Sequence, residues 1–553
     1  MYRFVLLLIS AAALHAQSTF IYYRGVVNVA SYMPPGLPAG GIARGAQFAI
    51  FGSNLGPVTD PPLAFPLSTT LAGVSISVTQ ASTTVAAIPV FLSPGQINAI
   101  MPSNAPLGLV TLRVTFNNFR SNAATVRVVN SSVGIFTSTG TGQGPGSILN
   151  FSPTAVPLNG LTTSASVVQT VILYGVGLGP APFPDNVAPT PTTLPTQTEV
   201  FVGGVAAPIQ YSGRAACCAG IDQINFQVPA GAPSGCWVPV NVRTEGSILS
   251  NFVTMAINQS GGSCSEPANP LATALLTGGK IASFLAARMS VRHDVNVVSP
   301  VEAVTELLGG YVAQEQPRPY NFNPAFSLPP AGTCTVYTNS GFVPFIAPVP
   351  PGILPTGGGL DPGSLSIAGS AGSIKIQSPL TPFTGMAGAY LGGSLVGDPV
   401  LKGSLFLNPG QINLTGSGGA NVGSFSTSFN MPSVFTWNNR DTLSTVTRSQ
   451  GLNVSWSGVS SGYSVFITGG AADFPSNSTT VFLCMAKPGD LNFNVPSSVL
   501  ANILPLRQRA LQSLGAIYVG EWPLASPSAI QASGLDSGVA MPAHILGKSV
   551  NFQ

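Results

Sequence analysis

Charge is what this 553-residue chain has least of. Charged residues make up 7% of it, against roughly a quarter in an ordinary soluble domain. Twenty Lys and Arg stand against 17 Asp and Glu, for a net charge of +3. There is no basic run, so the electrostatic footprint that nucleic acid requires is missing. Histidine is scarce too, with three in the whole chain, and this thins out acid-base and metal chemistry. The shortage of Glu, Lys and Arg, together with 50 prolines, excludes a helical bundle or long coiled coil. Disorder is excluded from the other side, because 45% of the residues are hydrophobic and disordered chains are apolar-poor. The mean hydropathy of +0.38 therefore reflects missing charge, not extra apolar residues. What is present is 63 glycines beside the prolines, the composition of β-domains joined by many turns.

The first residues, MYRFVLLLISAAALHA, read as a targeting segment. Arg3 supplies the positive start, residues 4–14 form a short apolar stretch, and Leu14-His15-Ala16 ends it as a cleavage site. Cleavage there leaves Gln17 first. No later stretch reads as a membrane span. The most apolar one, 271–289, is broken by Gly278, Gly279 and Lys280. Prolines spread along the whole chain argue against lipid-facing strands. The expected location is extracellular, secreted or on the outer cell surface, with no integral span in the mature chain.

Six cysteines suit that compartment: Cys217, Cys218, Cys236, Cys264, Cys334 and Cys484. An even number in an exported chain reads as disulfides. The first four admit three pairings among themselves, which leaves Cys334 and Cys484 for each other. Cys217 and Cys218 are adjacent, so a bond between them strains the backbone and each is expected to bond elsewhere. Zinc is the poorer reading, since no histidine lies near and two CxxC pairs are lacking.

The first half contains an internal repeat. Ile50-Phe51-Gly52-Ser53-Asn54-Leu55-Gly56-Pro57 matches Leu173-Tyr174-Gly175-Val176-Gly177-Leu178-Gly179-Pro180. Gln96-Ile97-Asn98 then matches Gln223-Ile224-Asn225, and Ser121-Asn122 matches Ser250-Asn251, in the same order and at similar spacing. Stretches such as 74–78, 110–114 and 238–242 alternate with period two, as half-buried strands do. Short strands at this spacing with Gly, Pro and Asn turns predict immunoglobulin-like sandwiches. In the repeated motif, Gly is expected to supply positive φ and Leu to plug the end of the sandwich. The second copy also imitates a nucleotide-binding glycine loop. Pro180, Pro182 and Pro184 follow it where such a loop needs a helix.

Residues 26–257 resemble an uncharacterised exported domain of Solibacter-type acidobacteria. The resemblance is carried by Val27-Asn28-Val29-Ala30-Ser31-Tyr32, the two glycine motifs, Ser93-Pro94-Gly95-Gln96-Ile97-Asn98, Gly134-Ile135-Phe136 and Cys217-Cys218-Ala219-Gly220-Ile221-Asp222-Gln223-Ile224-Asn225. It implies tandem immunoglobulin-like modules and no particular activity. In the commonest arrangement of that family the domain lies last in the chain, whereas here it comes first.

The second half is less regular. Ser299-Pro300-Val301-Glu302 ahead of 303–308 reads as a capped short helix, with a strand pair as the alternative. Another short helix is expected within 500–514, broken by Pro505. Strands are expected at 333–337, across 363–376, at 452–456 and 463–467 as a hairpin around a core Trp456, and at 481–484 and 491–495, where residues 488–496 echo the repeat as a worn third copy would.

Candidate chemistry is sparse. His293 stands next to Asp294, and Gly458-Val459-Ser460-Ser461-Gly462 matches a nucleophile-elbow pattern. The match falls between two expected strands and not between a strand and a helix, so it reads as a turn. His544 has no acidic neighbour in the sequence. Glu302, Glu306 and Glu315 are the one acidic cluster and read as solvating a helix. Of the tryptophans, Trp237 and Trp456 fall in strand patterns and read as core, while Trp437 and Trp522 are the candidates for stacking on a sugar.

The sequence thus predicts an all-β protein: a signal peptide over 1–16, immunoglobulin-like β-domains over 17–139 and 140–264, and a β-rich C-terminal region over 265–553 with minor helix. The expected function is structural or adhesive, with no catalytic site, cofactor or metal. A surface protein or a polysaccharide is the expected partner, and carbohydrate binding is the alternative function. A hydrolase in the C-terminal half is the weakest alternative.

Overall fold

The structure, a computed structural model, describes residues 18–553 apart from 60–63, 267–268, 294–300, 316–321, 323–326, 340–357, 377–388, 396–404, 477, 508, 510–511 and 524–527. The described residues are almost entirely strand and turn. The two helices among them, Ala272–Thr277 and Ser497–Leu500, are short, and no described helix is long and apolar enough to cross a membrane.

The repeat is visible as repeated pairing. Gln47–Ser53 pairs antiparallel with Gln96–Ile100 in the first module, and Thr170–Val176 with Asp222–Gln227 in the second. Val74–Gln80 pairs with Gly108–Phe116, and Thr198–Val202 with Gly235–Thr244. In each module the alternating apolar residues of two sheets meet in one core: Phe48, Val74, Ile76, Ile97 and Leu112 in the first; Leu173, Ile224, Val200 and Val240 in the second. This is a β-sandwich, each face buried by the other.

The repeated polar residues do the same work twice. Ser121 Oγ accepts from the Val114 N–H at 3.0 Å, and Ser250 Oγ from the Val242 N–H at 2.9 Å. Asn122 exchanges two hydrogen bonds with the Ile21 backbone, and Asn251 does so with Ile135. Each asparagine thus clamps the first strand of its module. Gln96 donates to Asn98, and Gln223 to Asn225, both at 2.8 Å. Leu55 and Leu178 are buried plugs. The glycine in front of them differs from expectation. A Cβ at Gly52 would lie 2.1 Å from the Phe20 carbonyl, and at Gly175 2.4 Å from that of Gly134. Close approach of the first strand excludes a side chain there; the expected positive φ is found at Gly177 and Gly179 of the second copy, and in the first copy at Asn54.

In the C-terminal region a sheet of nine described strands is covered on one face by smaller sheets. One cover, containing Leu365–Gly369 and Gly410–Gly416, packs on Phe284, Leu308 and Ala540. The other, containing Leu452–Ser457 and Asn492–Val495, packs on Ile467, Phe482 and Val519. Residues 303–308, expected as a helix, are part of the strand Val301–Gln314. It pairs with Lys280–His293 over its full length, and fourteen residues of pairing outweigh a local capping pattern. Of the helix expected within 500–514 only Leu500 is helical, as the last residue of Ser497–Leu500; the described residues after it are turn and irregular backbone, and Ser513–Pro523 is a central strand. Leu452–Ser457 and Tyr463–Asp473 are not a hairpin: they belong to different sheets, and 458–462 crosses between them.

The three parts interlock. Gln47 donates to the Ala219 carbonyl at 2.7 Å, and Asp185 accepts from both the N–H and the hydroxyl of Ser103. Met33, Leu37 and Ala39 of the first module and Phe252 of the second are buried in the C-terminal core with Trp456 and Leu504.

Candidate functional site

Trp437, expected at the surface, is 3% exposed. It sits directly opposite Trp456 in register, and its Nε1–H donates to Asn439. Its polar neighbours cap a core residue and do not frame a platform. The Trp522 side chain lies outside the described residues; its backbone belongs to a central strand opposite Ser464. Trp237 and Trp456 are buried.

The disulfides are Cys236–Cys264 and Cys334–Cys484. Cys217 and Cys218, expected to bond elsewhere, carry free thiols in the turn before Asp222–Gln227. Cys264 already takes Cys236, and neighbouring cysteines cannot bridge without strain. Burial, and then Cys217, push the Cys218 thiol up to about 12, which disfavours the thiolate.

The glycine loop of the second module does hold an anion, an internal one. Asp222 accepts from the Leu178 N–H at 2.8 Å and forms an ion pair with Arg214 at 2.9 Å, both side chains 3% exposed. Arg214 also donates to the Gly179 carbonyl. In the first module the N–H of Leu55, the counterpart of Leu178, goes instead to the Pro94 carbonyl.

Under the seam between the two covers, four titratable residues stand side by side on adjacent strands. Arg288 is opposite Glu306 on one side and His544 on the other. Glu521 follows Gly520, which is opposite Ile545. Glu306 and Glu521 are fully buried and His544 is 2% exposed. Arg288 lies 3.6 Å from Glu306 and donates to Asn408, and Glu306 accepts from the Phe406 N–H. Burial pushes Glu521 up to about 7, against the pull of the Ser460 N–H and hydroxyl. Burial, and then the Arg288 charge, hold His544 below its usual value.

This row brings together residues that the sequence scattered, including Ser460 of the glycine-serine match. Their order does not make a nucleophile. Ser460 faces Glu521 and accepts from the Ser433 N–H at 3.1 Å, and His544 is not placed between hydroxyl and carboxylate as a triad requires. Three strand steps, roughly 14 Å between backbones, separate the two glutamates, with Arg288 and His544 filling the gap. Carboxylates that share one glycosidic bond stand closer. Glu302 is ion-paired with Arg440 at 2.7 Å. His293 ends its strand opposite Val301, and Asp294 lies outside the described residues. Among the described residues no three His, Cys, Asp or Glu gather as metal ligands.

The row and its relatives set a pH dependence. In the fold Glu266 and Glu521 titrate near 7 and Asp222 near 6, each raised chiefly by burial. All three values exceed those of the unfolded chain, so above pH 6 the folded state retains protons that the unfolded state has shed. Stability therefore rises as pH falls from 8 to 6, by on the order of 2 kcal/mol. Below about pH 6.5 His544 works the other way, because the unfolded chain takes its proton first. Urea midpoints at pH 8 and pH 6 check this, and a lower midpoint at pH 6 contradicts it.

The open cleft lies elsewhere, where the first module meets the C-terminal region. Its volume is ≈ 410 Å³, and Arg24, Asp473, Leu506, Arg507, Arg509 and Ser513 are among its walls. Ser513 fixes one wall: its Oγ donates to the Arg507 carbonyl and accepts from the Arg509 N–H. The other wall comes from a bulge. The strand Phe20–Asn28 pairs regularly at Ile21 and again at Val26, with a register shift between them. That bulge turns Tyr22 and Tyr23 out, 51% and 76% exposed, and puts Arg24 at φ 55°. Sequence reasoning missed this site. The one local signal was the aromatic pair beside Arg24.

No protein-family model matches the chain, and no curated protein matches it. Among solved structures it is similar to a surface glycan-binding protein, SGBP-B, of the Bacteroides ovatus mixed-linkage glucan utilization locus, at 12% identity and TM-score 0.19, over 39% of this chain and 44% of that one. It is also similar to SGBP-B from a Bacteroides uniformis xyloglucan utilization locus, at 11% identity and TM-score 0.17, over 68% and 86% of the two chains. A tetra-tandem repeat from a large adhesion protein matches at 10% identity and TM-score 0.13, over 97% and 100%. The match spans less than half of the Bacteroides ovatus chain. Superpositions at this level carry no function across, and the fold described above rests on this chain's own sheets.

Proposed function

We propose that this is an extracellular structural or adhesion protein, exported by the segment ending near Ala16 and without catalytic activity. The observation that carries this reading is where the duplicated residues point. Gln96 and Gln223, Asn122 and Asn251, Ser121 and Ser250 all direct their polar atoms into their own module. What the two copies share is therefore architecture, and the disulfides suit an oxidising compartment. The resemblance to the exported acidobacterial domain points the same way. The expected result is that beads coated with the protein adhere to cell-envelope material without releasing reducing sugar from it. Sugar release by the pure protein sinks the non-catalytic reading.

Polysaccharide binding is the second reading. It is favoured by the exposed Tyr23, whose ring lies 5.5 Å from the guanidinium of Arg24 in the cleft wall, because bulges re-aim side chains toward ligands and ligand clefts fall in the range of about 300–1,000 Å³.

A further inference from the structure

We infer that the cleft between the first module and the C-terminal region binds an acidic polysaccharide through the carboxylates of its uronic acid residues; this rests on the polysaccharide-binding reading above. In a chain with only 20 Lys and Arg, three arginines line this one cleft: Arg24, Arg507 and Arg509. The acidic group facing them is Asp473, 4.0 Å from Arg24 and also holding the Ser476 hydroxyl. Arg507 and Arg509 are exposed and have no acidic partner among the described residues. The cleft therefore carries a surplus of guanidinium groups, whose planar forks match a carboxylate in bidentate fashion.

The aromatic side chains select a sugar over an acidic peptide. The Arg24 guanidinium lies 5.5 Å from the centre of the Tyr23 ring. Phe20 and Tyr22 stand exposed on the same strand with ring centres 6.4 Å apart. Flat apolar rings next to a cationic fork suit a pyranose, which offers C–H faces along the chain and one carboxylate per residue. The bulge that creates this arrangement is strained, because a bulky residue at positive φ is disfavoured. A Cβ at Gly25 would also lie 2.7 Å from the Phe51 carbonyl, so the chain turns there on a glycine.

The test is affinity electrophoresis of the full mature chain in gels containing polygalacturonate, neutral dextran, dextran sulfate or polyglutamate. Polygalacturonate is expected to retard the protein at least tenfold more strongly than dextran or polyglutamate, and 0.5 M salt to weaken the effect, as about a Debye length of 3–10 Å implies. The R507A/R509A variant, both of whose side chains are exposed, is expected to lose most of the retardation with an unchanged circular dichroism spectrum. Tyr23→Ala is expected to lose several-fold, and R507K/R509K to fall between. Retardation by polygalacturonate that survives R507A/R509A overturns the assignment of the cleft. Equal retardation by dextran overturns the acidic class while leaving polysaccharide binding standing. Equal or stronger binding to polyglutamate or dextran sulfate replaces the uronate by a peptide or a sulfate, and no retardation by any polymer overturns both readings.

Discussion

Replacing Cys334 and Cys484 together by serine is expected to lower the unfolding free energy of the C-terminal region by about 5 kcal/mol, on the loop-closure argument. The corresponding Cys236/Cys264 replacement is expected to cost the second module about 3.5 kcal/mol. The difference comes from what each bond closes: the sequence separation is 150 for the first and 28 for the second. Geometry adds to it. Cys334 lies opposite Cys484 in register, and among the described residues Cys334–Asn339 is the edge strand of the large sheet, paired with Ser478–Met485 alone. Without the bond that edge is held by one ladder, and a strand pinned on one side frays first. Urea unfolding of variants that keep either Trp456 or Trp237 as the single tryptophan compares the two losses, because Trp456 lies in the C-terminal core and Trp237 on the strand Gly235–Thr244 of the second module. Equal losses, or a larger loss for Cys236/Cys264, contradict the expectation.

Arg214→Met is expected to cost the second module about 3–5 kcal/mol, read through Trp237, whereas Arg214→Met combined with Asp222→Leu recovers much of the loss. The single change leaves a carboxylate buried with no counter-charge. The double change removes both charges and lets the site close on apolar neighbours. The carboxylate is fixed by the loop it serves: it takes the Leu178 N–H, and the partner arginine holds the Gly179 carbonyl. The glycine loop therefore loses its support when the charge becomes uncompensated. A single variant as stable as the parent would mean that the Leu178 and Gly177 N–H groups suffice for the anion alone.

The modules were the legible part of this protein. Gln-Ile-Asn and Ser-Asn recur because each makes short-range or within-module bonds that any copy of the fold must make, so spacing alone exposes them. The sandwich class followed from alternation, which is local. Several of the misreadings were of residues whose partners are far away in sequence. Thr436-Trp437-Asn438-Asn439 is polar around its tryptophan, and the core partner, Trp456, lies beyond a loop. The helix expected before Leu308 has helix-like caps, but its partners are Lys280–His293 and Ala389–Leu395. The buried row combines Arg288, Glu306, Glu521 and His544 from strands that meet only in the folded sheet. The cleft joins Arg24 to Arg507 and Arg509, and no periodicity links positions so far apart.

The interlocking of the first module with the C-terminal core has a kinetic consequence. Met33 and Leu37 are made early, yet their cover, which includes Trp456, Val499 and Leu504, is made much later. Until those late strands exist, a finished first module displays an apolar loop with nothing to receive it, and exposed apolar surface of this kind is where chains associate wrongly. Burial of that loop therefore waits for residues as distant as Trp456, Val499 and Leu504. Fragments cut at the module boundaries carry sticky surfaces that the intact chain never shows.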